Sequence, residues 1–397
     1  MHAFNKNSKP RLRIALISNS FPITRSGRVI TNIFLADFVD CLIDLNVDVQ
    51  ILIPRRPEAQ DEKYAARMTQ FSWSGDHTIA LGKIKLSDPR GLFQIFSLFK
   101  EGKKAALDLG KKFQPDFCLA AFATPSGYYA WNLWKKQKIP FGVWCLGSDI
   151  HTWARKPGVR QLTRRILKDA SLLYADGLAL ADEASVLADQ KCEFLASARL
   201  QPTSTKALAV SNDFKTHFLY AGRWEKIKGL DILLEAWKLA ALQDSCLHIA
   251  GHGEGLHTLV EEYSRDPQLQ KSIRVWGGLN PEELYGLYKA VDCVVLPSRN
   301  ESIPVVLSEC IQMKLPMIVT DVGDMGTLIR RYNLGEVVAS ENTQQLSQAL
   351  QRFSQIGAKQ LHPNWVEAQA AFDIRHSAET LVRDIESVLR SNSKEYQ

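Results

Sequence analysis

The twenty residues FLYAGRWEKIKGLDILLEAW, residues 218–237, contain a strand, a turn and the start of a helix in that order. Residues 218–221 form a short apolar run typical of a buried strand, and 229–242 place apolar residues at helical spacing. Gly222 and Arg223 fall just past the strand end, and Lys228 follows five residues later, next to Gly229. Two fixed cations beside the N–H groups of a helix start suit a diphosphate. Taken alone, an Arg and a Lys are more often two solvated surface charges.

A second stretch gives the pair its context. In PSRNESIPVVLSEC, residues 297–310, Glu301 and Glu309 stand eight positions apart, after a predicted strand at 293–296. An all-helical path would separate them by about 12 Å, and a loop position for Glu301 changes that figure. Such a span compares with the distance from a nucleotide ribose to the sugar beyond its diphosphate. One carboxylate could accept from ribose hydroxyls and the other from sugar hydroxyls. The helix start at Ser302, Ile303 and Pro304 directs positive charge toward the phosphates.

Outward from these stretches, β-rich runs alternate with helical patterns along the chain, the mark of parallel α/β sheets. In the first half, strands are expected at 14–18, 47–53, 117–122, 141–146 and 177–181, with a helix over 30–45. In the second half, strands at 218–221, 247–250, 273–276, 293–296 and 317–319 alternate with helices at 229–242, 255–263, 281–290 and 305–313. Pro281 and Pro304 suit the first helical position, where a missing N–H costs nothing. The stretch 197–216 lacks a period and contains the expected linker. The predicted domains are 1–205, 206–378 and a terminal helix, 379–397, returning to the first domain. In such folds a ligand sits at the carboxyl ends of the strands, and a cleft between two domains is a favoured place.

The 397 residues suffice for two domains, and a hydrophobic fraction of 45% excludes a disordered or fibrous chain. Seven scattered cysteines without a close CxxC spacing read as reduced thiols of a cytosolic protein, against a zinc cage. No signal peptide or transmembrane segment is evident. His77, His151, His248, His252 and His257 form no HExxH pattern and are expected in surface or cap roles. The net charge of +6 conceals a split: residues 1–210 hold 30 Lys and Arg against 19 Asp and Glu, the remainder 19 against 24. The first half is therefore the one that asks for an anionic partner.

With these motifs the chain resembles a GT-B type glycosyltransferase of family 4, the retaining, nucleotide-sugar-dependent class also described as glycosyl transferases group 1. The resemblance implies two Rossmann-like, doubly wound α/β domains facing a cleft. It implies that Arg223 and Lys228 bind and stabilise the departing diphosphate, that Glu301 holds the donor sugar and that Glu309 holds the ribose. IAGHGE, residues 249–254, with Gly251, and VWGGL, residues 275–279, resemble the turns after the family's next strands, the latter setting backbone groups near Trp276 against the base. FPITRSGRVITN, residues 21–32, resembles the family's glycine-rich first loop, with Gly27 kept and Ser26 where a second glycine is usual. WCLGSDIHTW, residues 144–153, resembles a segment in which a histidine is usual at the position of Leu146, leaving Asp149 as the acceptor-side polar candidate. A carboxylate capping the following segment is an equal reading of Asp149. Ser302 also departs from the family's usual glycine.

The implied activity is hexosyl transfer (EC 2.4) from a UDP-, GDP- or ADP-linked sugar to a lipid-linked or saccharide acceptor, without a cofactor or metal; the sequence has no DxD triplet. A nucleotide-sugar epimerase or phosphorylase on the same scaffold, and a non-catalytic scaffold protein, are the alternatives. Two basic segments suit an anionic membrane face: 92–112, where Phe93, Phe96 and Phe99 mix with lysines, and 159–168, where Arg160, Arg164 and Lys168 recur every four residues. A solvated helix packed on its own domain is the alternative for each. No nucleic-acid-binding motif is present, and a cytoplasmic protein peripheral to the membrane is expected.

Overall fold

The computed structural model describes residues 11–22, 24–25, 28–29, 33–55, 63–75, 84, 88–156 and 158–395. Gly27 and His77 lie outside the described residues. The chain divides into two compact units, Met1–Ser197 with Ile374–Gln397, and Ala198–Asp373.

In the first unit the elements are β1 (Arg13–Ser18), the short strands β2 (Thr24–Arg25) and β3 (Arg28–Val29), α1 (Ile33–Asp44), β4 (Asp48–Pro54), β5 (Met68–Phe71), α2 (Pro89–Phe113) and β6 (Phe117–Ala121). They are followed by α3 (Ser126–Gln137), β7 (Phe141–Cys145), α4 (Val159–Asp169), β8 (Leu172–Ala175), α5 (Leu178–Ala188) and β9 (Glu193–Phe194). Seven strands form one parallel sheet in the order β5-β4-β1-β6-β7-β8-β9. Its central strands are buried on both faces, as helices on either side require.

The expected strand at 177–181 is a helix. In LALADEASVLA the buried residues Leu180, Ala181, Ala184, Leu187 and Ala188 recur at three and four positions, and alanine favours helix over strand. The strand lies just upstream, where Leu172–Ala175 pairs with β7.

The second unit contains β10 (Thr216–Ala221), α6 (Leu230–Ala240), β11 (Ser245–Ala250), α7 (His257–Arg265), β12 (Ile273–Gly277), α8 (Pro281–Tyr288) and β13 (Cys293–Leu296). It continues through α9 (Val305–Met313), β14 (Met317–Thr320), α10 (Met325–Tyr332), β15 (Gly335–Val338), α11 (Thr343–Ile356) and α12 (Trp365–Ala371). Its parallel sheet runs β12-β11-β10-β13-β14-β15. Phe218, Tyr220, Leu247 and Ile249 pack with Leu233, Trp237, Leu350 and Phe353 into one core. Pro281 takes the first helical position, behind an Asn280 and Glu283 capping box. Pro304 stands one place earlier than expected, as the N-cap of α9.

The last helix, α13 (Ile374–Glu395), belongs to the first unit and packs on α1. Leu381 and Ile385 are fully buried, Tyr174 donates to Asp384 at 2.7 Å, and Arg375 pairs with Asp44 at 2.9 Å. Among the described residues no helix is long and apolar enough to cross a membrane. Leu381→Ala is expected to cost about 2–5 kcal/mol, read as a lower urea midpoint; an unchanged midpoint would show that α13 adds nothing to the unit.

Candidate active site

Strand order in the second unit reverses between β10 and β13, and the loops that follow these strands carry the predicted residues. A crevice opens where neighbouring strands send their connections to opposite sides of a sheet. The loop after β10 contains Gly222, Arg223 and the 3₁₀ turn of Lys226–Lys228. Gly222 donates to the carbonyl of Ala250 at 3.1 Å and Gly251 to that of Gly277 at 2.7 Å, which ties the ends of β10, β11 and β12 together. Gly251 has φ +125°, and a Cβ there would stand 1.8 Å from the carbonyl oxygen of Gly222. Only glycine permits that approach.

Gly229 plays the same part at the other side. Its φ is +71°, and a Cβ would lie 1.9 Å from the carbonyl oxygen of Pro297. The turn therefore settles onto the loop after β13, and Lys228 Nζ meets Glu301 Oε1. Both side chains are mostly buried. Burial lowers the Lys228 pKa to about 8; Arg223 pushes the same way and Glu225 opposes. Arg223 itself is exposed and pairs with Glu225 at 2.9 Å.

Arg299, which the sequence reading passed over, joins these parts. It grips Asp231 in the first turn of α6 at 2.7 and 2.9 Å, and also reaches the carbonyl of Lys226 and the carboxylate of Glu341. Its backbone N–H donates to Ile227 at 2.9 Å. One guanidinium thus ties the turn before Lys228 to the first turn of α6 and to Glu341.

Ser302, Ile303 and Pro304 lead into α9, whose first turn no side chain caps. The carbonyl of Ser302 accepts from Asp324 N–H at 3.2 Å. Gly323, at φ +53°, allows that loop within contact of the Glu301 carbonyl. Glu309 is 3% exposed on α9. Its carboxylate accepts from Tyr288 Oη at 2.7 Å and pairs with Arg199 at 3.2 Å. Neither partner could be found from sequence, since Arg199 is 110 residues away and carries no motif.

Trp276 closes β12, and its indole N–H donates to His248 Nδ1 at 3.0 Å. His248 is not the surface or capping residue expected, because it falls within β11 and is 0% exposed. Burial is the main reason its pKa drops to about 4.

In the first unit, Asp149 opens the turn after β7 and is 1% exposed. It accepts from the backbone N–H of Ala123 at 2.6 Å and of Leu146 at 3.2 Å, fastening the loops after β6 and β7. Desolvation raises its pKa while these N–H groups work against the rise.

Residues 215–355 match a family model described as glycosyl transferases group 1. The chain is 27% identical over 293 residues, 70% of its length and 72% of the relative's, to TuaC of Bacillus subtilis (strain 168), a protein named as a teichuronic acid biosynthesis glycosyltransferase. It is 30% identical over 138 residues, about a third of each chain, to the alpha-D-kanosaminyltransferase of Streptomyces kanamyceticus. Among solved structures, Anabaena HepE in complex with UDP aligns with a TM-score of 0.69 at 14% identity, over 96% of this chain and 100% of that one. The lipopolysaccharide outer core galactosyltransferase WaaB aligns with a TM-score of 0.66 at 16% identity, over 95% and 99%. The chain has the GT-B fold, and its second unit carries a glycosyl transferases group 1 segment.

The lowered Lys228 pKa has a pH signature. Stability from this group rises between about pH 8 and 10.5, because the unfolded chain keeps the proton over that window and the folded chain does not. Affinity for inorganic pyrophosphate, measured calorimetrically, is expected to fall as pH climbs through the same window. Lys228→Arg should flatten the profile, and a wild-type profile equally flat would remove Lys228 from the anion site.

Proposed function

We propose that this group 1 glycosyltransferase is a retaining, metal-independent hexosyltransferase that moves a sugar from a nucleoside diphosphate to a hydroxyl of a lipid-linked or polysaccharide acceptor in glycan biosynthesis. The observation that carries the reading is the meeting of Lys228 and Glu301 at the β10–β13 switch point, with Arg223 beside them and the uncapped start of α9 following. A diphosphate entering there finds an ammonium, a guanidinium and helix N–H groups. Lys228 turns from Glu301 to the phosphates, and the freed carboxylate accepts from sugar hydroxyls. As the bond to the anomeric carbon breaks, its electron pair goes to the phosphate oxygen, where Arg223 and Lys228 stabilise the charge. The acceptor hydroxyl attacks from the same face and passes its proton to that phosphate oxygen. Glu309 holds the ribose and the end of β12 the base. Relatives and fold neighbours support the substrate class: TuaC is named for teichuronic acid biosynthesis, and HepE has been solved with UDP and with UDP-glucose.

A thermal-shift panel of UDP-, GDP- and ADP-sugars identifies the donor, since a ligand bound only by the native state raises its apparent stability. With that donor, Lys228→Ala and Glu301→Ala are each expected to lower transfer by about 10²-fold or more with far-UV circular dichroism unchanged. Undiminished turnover in both variants sinks the site. Donor consumed with no acceptor present would instead mark an epimerase or phosphorylase.

The acceptor reading rests on α2. Phe93 and Phe96 are 62% and 64% exposed, one turn apart, and a groove beside them is lined by Phe99, Tyr128, Lys100, Lys103 and Lys104. Apolar tips beside lysines suit a peripheral position on an anionic, cytoplasmic membrane face, worth about 1 kcal/mol per basic residue. The protein is expected to sediment with phosphatidylglycerol vesicles and not with neutral ones, and Phe93→Ser with Phe96→Ser to weaken this. Equal binding to both vesicles would count against the basic face.

A further inference from the structure

We propose that His248 is a positioning residue for the nucleobase end of the donor site, acting through Trp276 in an oriented chain of hydrogen bonds, Trp276 to His248 to His217. The inference rests on the glycosyltransferase reading above and adds to it a residue and a recognition mode. An indole N–H can only donate. Trp276 Nε1 lies 3.0 Å from His248 Nδ1, so that nitrogen is the acceptor, and a neutral imidazole then carries its proton on Nε2. Nε2 in turn lies 3.0 Å from His217 Nδ1, which must accept. One donor thus fixes the tautomers of both rings. His248 stays neutral because burial, then His217 and Arg274, disfavour its charge.

The same atoms, with Cys246, lie within 4.8 Å of one another and could suggest a metal site. Ligation through His248 Nε2 needs a lone pair at the atom where the chain of donors puts a proton. The geometry therefore describes a hydrogen-bond relay.

The relay has a place in the donor site. Trp276 stands at the carboxyl end of β12, two strands from β10 and its Arg223 loop, or about 10 Å, roughly the reach of a nucleoside from its diphosphate. His248 stacks on the indole with centroids 5.9 Å apart and planes inclined by 30°. The indole is partly exposed with its only polar atom committed inward. It offers a base an aromatic surface of fixed orientation, with hydrogen bonding left to the backbone of the turn that follows. Stacking recognition of this kind is tolerant of base identity unless backbone groups select.

The test compares wild type, His248→Gln, His248→Leu and Trp276→Phe in calorimetric titrations with UDP, GDP and ADP, and in donor kinetics. Glutamine can accept from the indole and donate to His217, whereas leucine can do neither. His248→Leu and Trp276→Phe are expected to weaken nucleotide binding about ten-fold and raise donor KM in proportion, with kcat nearly unchanged and His248→Gln close to wild type. If the leucine variant does not fold, histidine ¹⁵N spectra of the wild type decide, since His248 must show a protonated Nε2 and a bare Nδ1. The opposite tautomer overturns the proposal, as does a rise in Tm on adding Zn²⁺ that is lost in His217→Ala. A folded His248→Leu that binds nucleotide as tightly as wild type sinks this inference alone. Absence of any nucleoside diphosphate binding by the wild type sinks the donor-site reading as well.

Discussion

Lys228 can rest against Glu301 because Gly229 brings the turn after β10 down onto the carbonyl of Pro297, where any Cβ would collide. The contact joins loops 73 residues apart and brings the two predicted motifs of the candidate site together. Arg299 then fixes the joint by holding the turn, the first turn of α6 and Glu341 at once. The site is thereby made rigid by backbone approach and one guanidinium, before any substrate contributes. Positions set in advance are what transfer chemistry without covalent catalysis demands.

The neighbouring strand ends follow the same logic. Gly251 lies against Gly222, and the loop after β14 lies against Ser302 through Gly323. Glycines at these crossings let successive loops pack as a layer over the carboxyl edge of the sheet, so that backbone N–H groups and a few charges face one region. Trp276 and His248 extend the layer to the edge strand, and there the order comes from donor and acceptor complementarity instead of close backbone approach.

Much of this was legible in the sequence, for identifiable reasons. Strand runs such as 293–296 and helices such as 305–313 announce themselves by period, and each motif sits where a strand ends. The stretch 177–181 misled because a short apolar run does not reveal its period until Ala184, Leu187 and Ala188 are counted with it. His248 misled differently: a histidine within an apolar run reads as an exception, and only the parallel register of β10, β11 and β12 brings His217 and Trp276 to it. Arg199, Tyr288 and Arg299 were invisible for the same reason, since their meaning lies in partners that chain order does not supply.

The two glutamates of PSRNESIPVVLSEC show how environment divides like residues. Glu301 lies in a loop, 17% exposed at its side chain, against the flexible ammonium of Lys228. That ammonium can be drawn to an arriving anion, so Glu301 can change partners without being stranded. Glu309 is fixed on a helix, 3% exposed, between a guanidinium and a phenol hydroxyl. Pulling it from Arg199 would leave a buried charge unpaired at a cost of about 3–5 kcal/mol. A carboxylate that can be exchanged suits the part of a substrate whose bonding changes during reaction, and one that cannot suits a part that only has to be held. Burial and partner chemistry thus support the proposed assignment of Glu301 to the transferred sugar and Glu309 to the ribose.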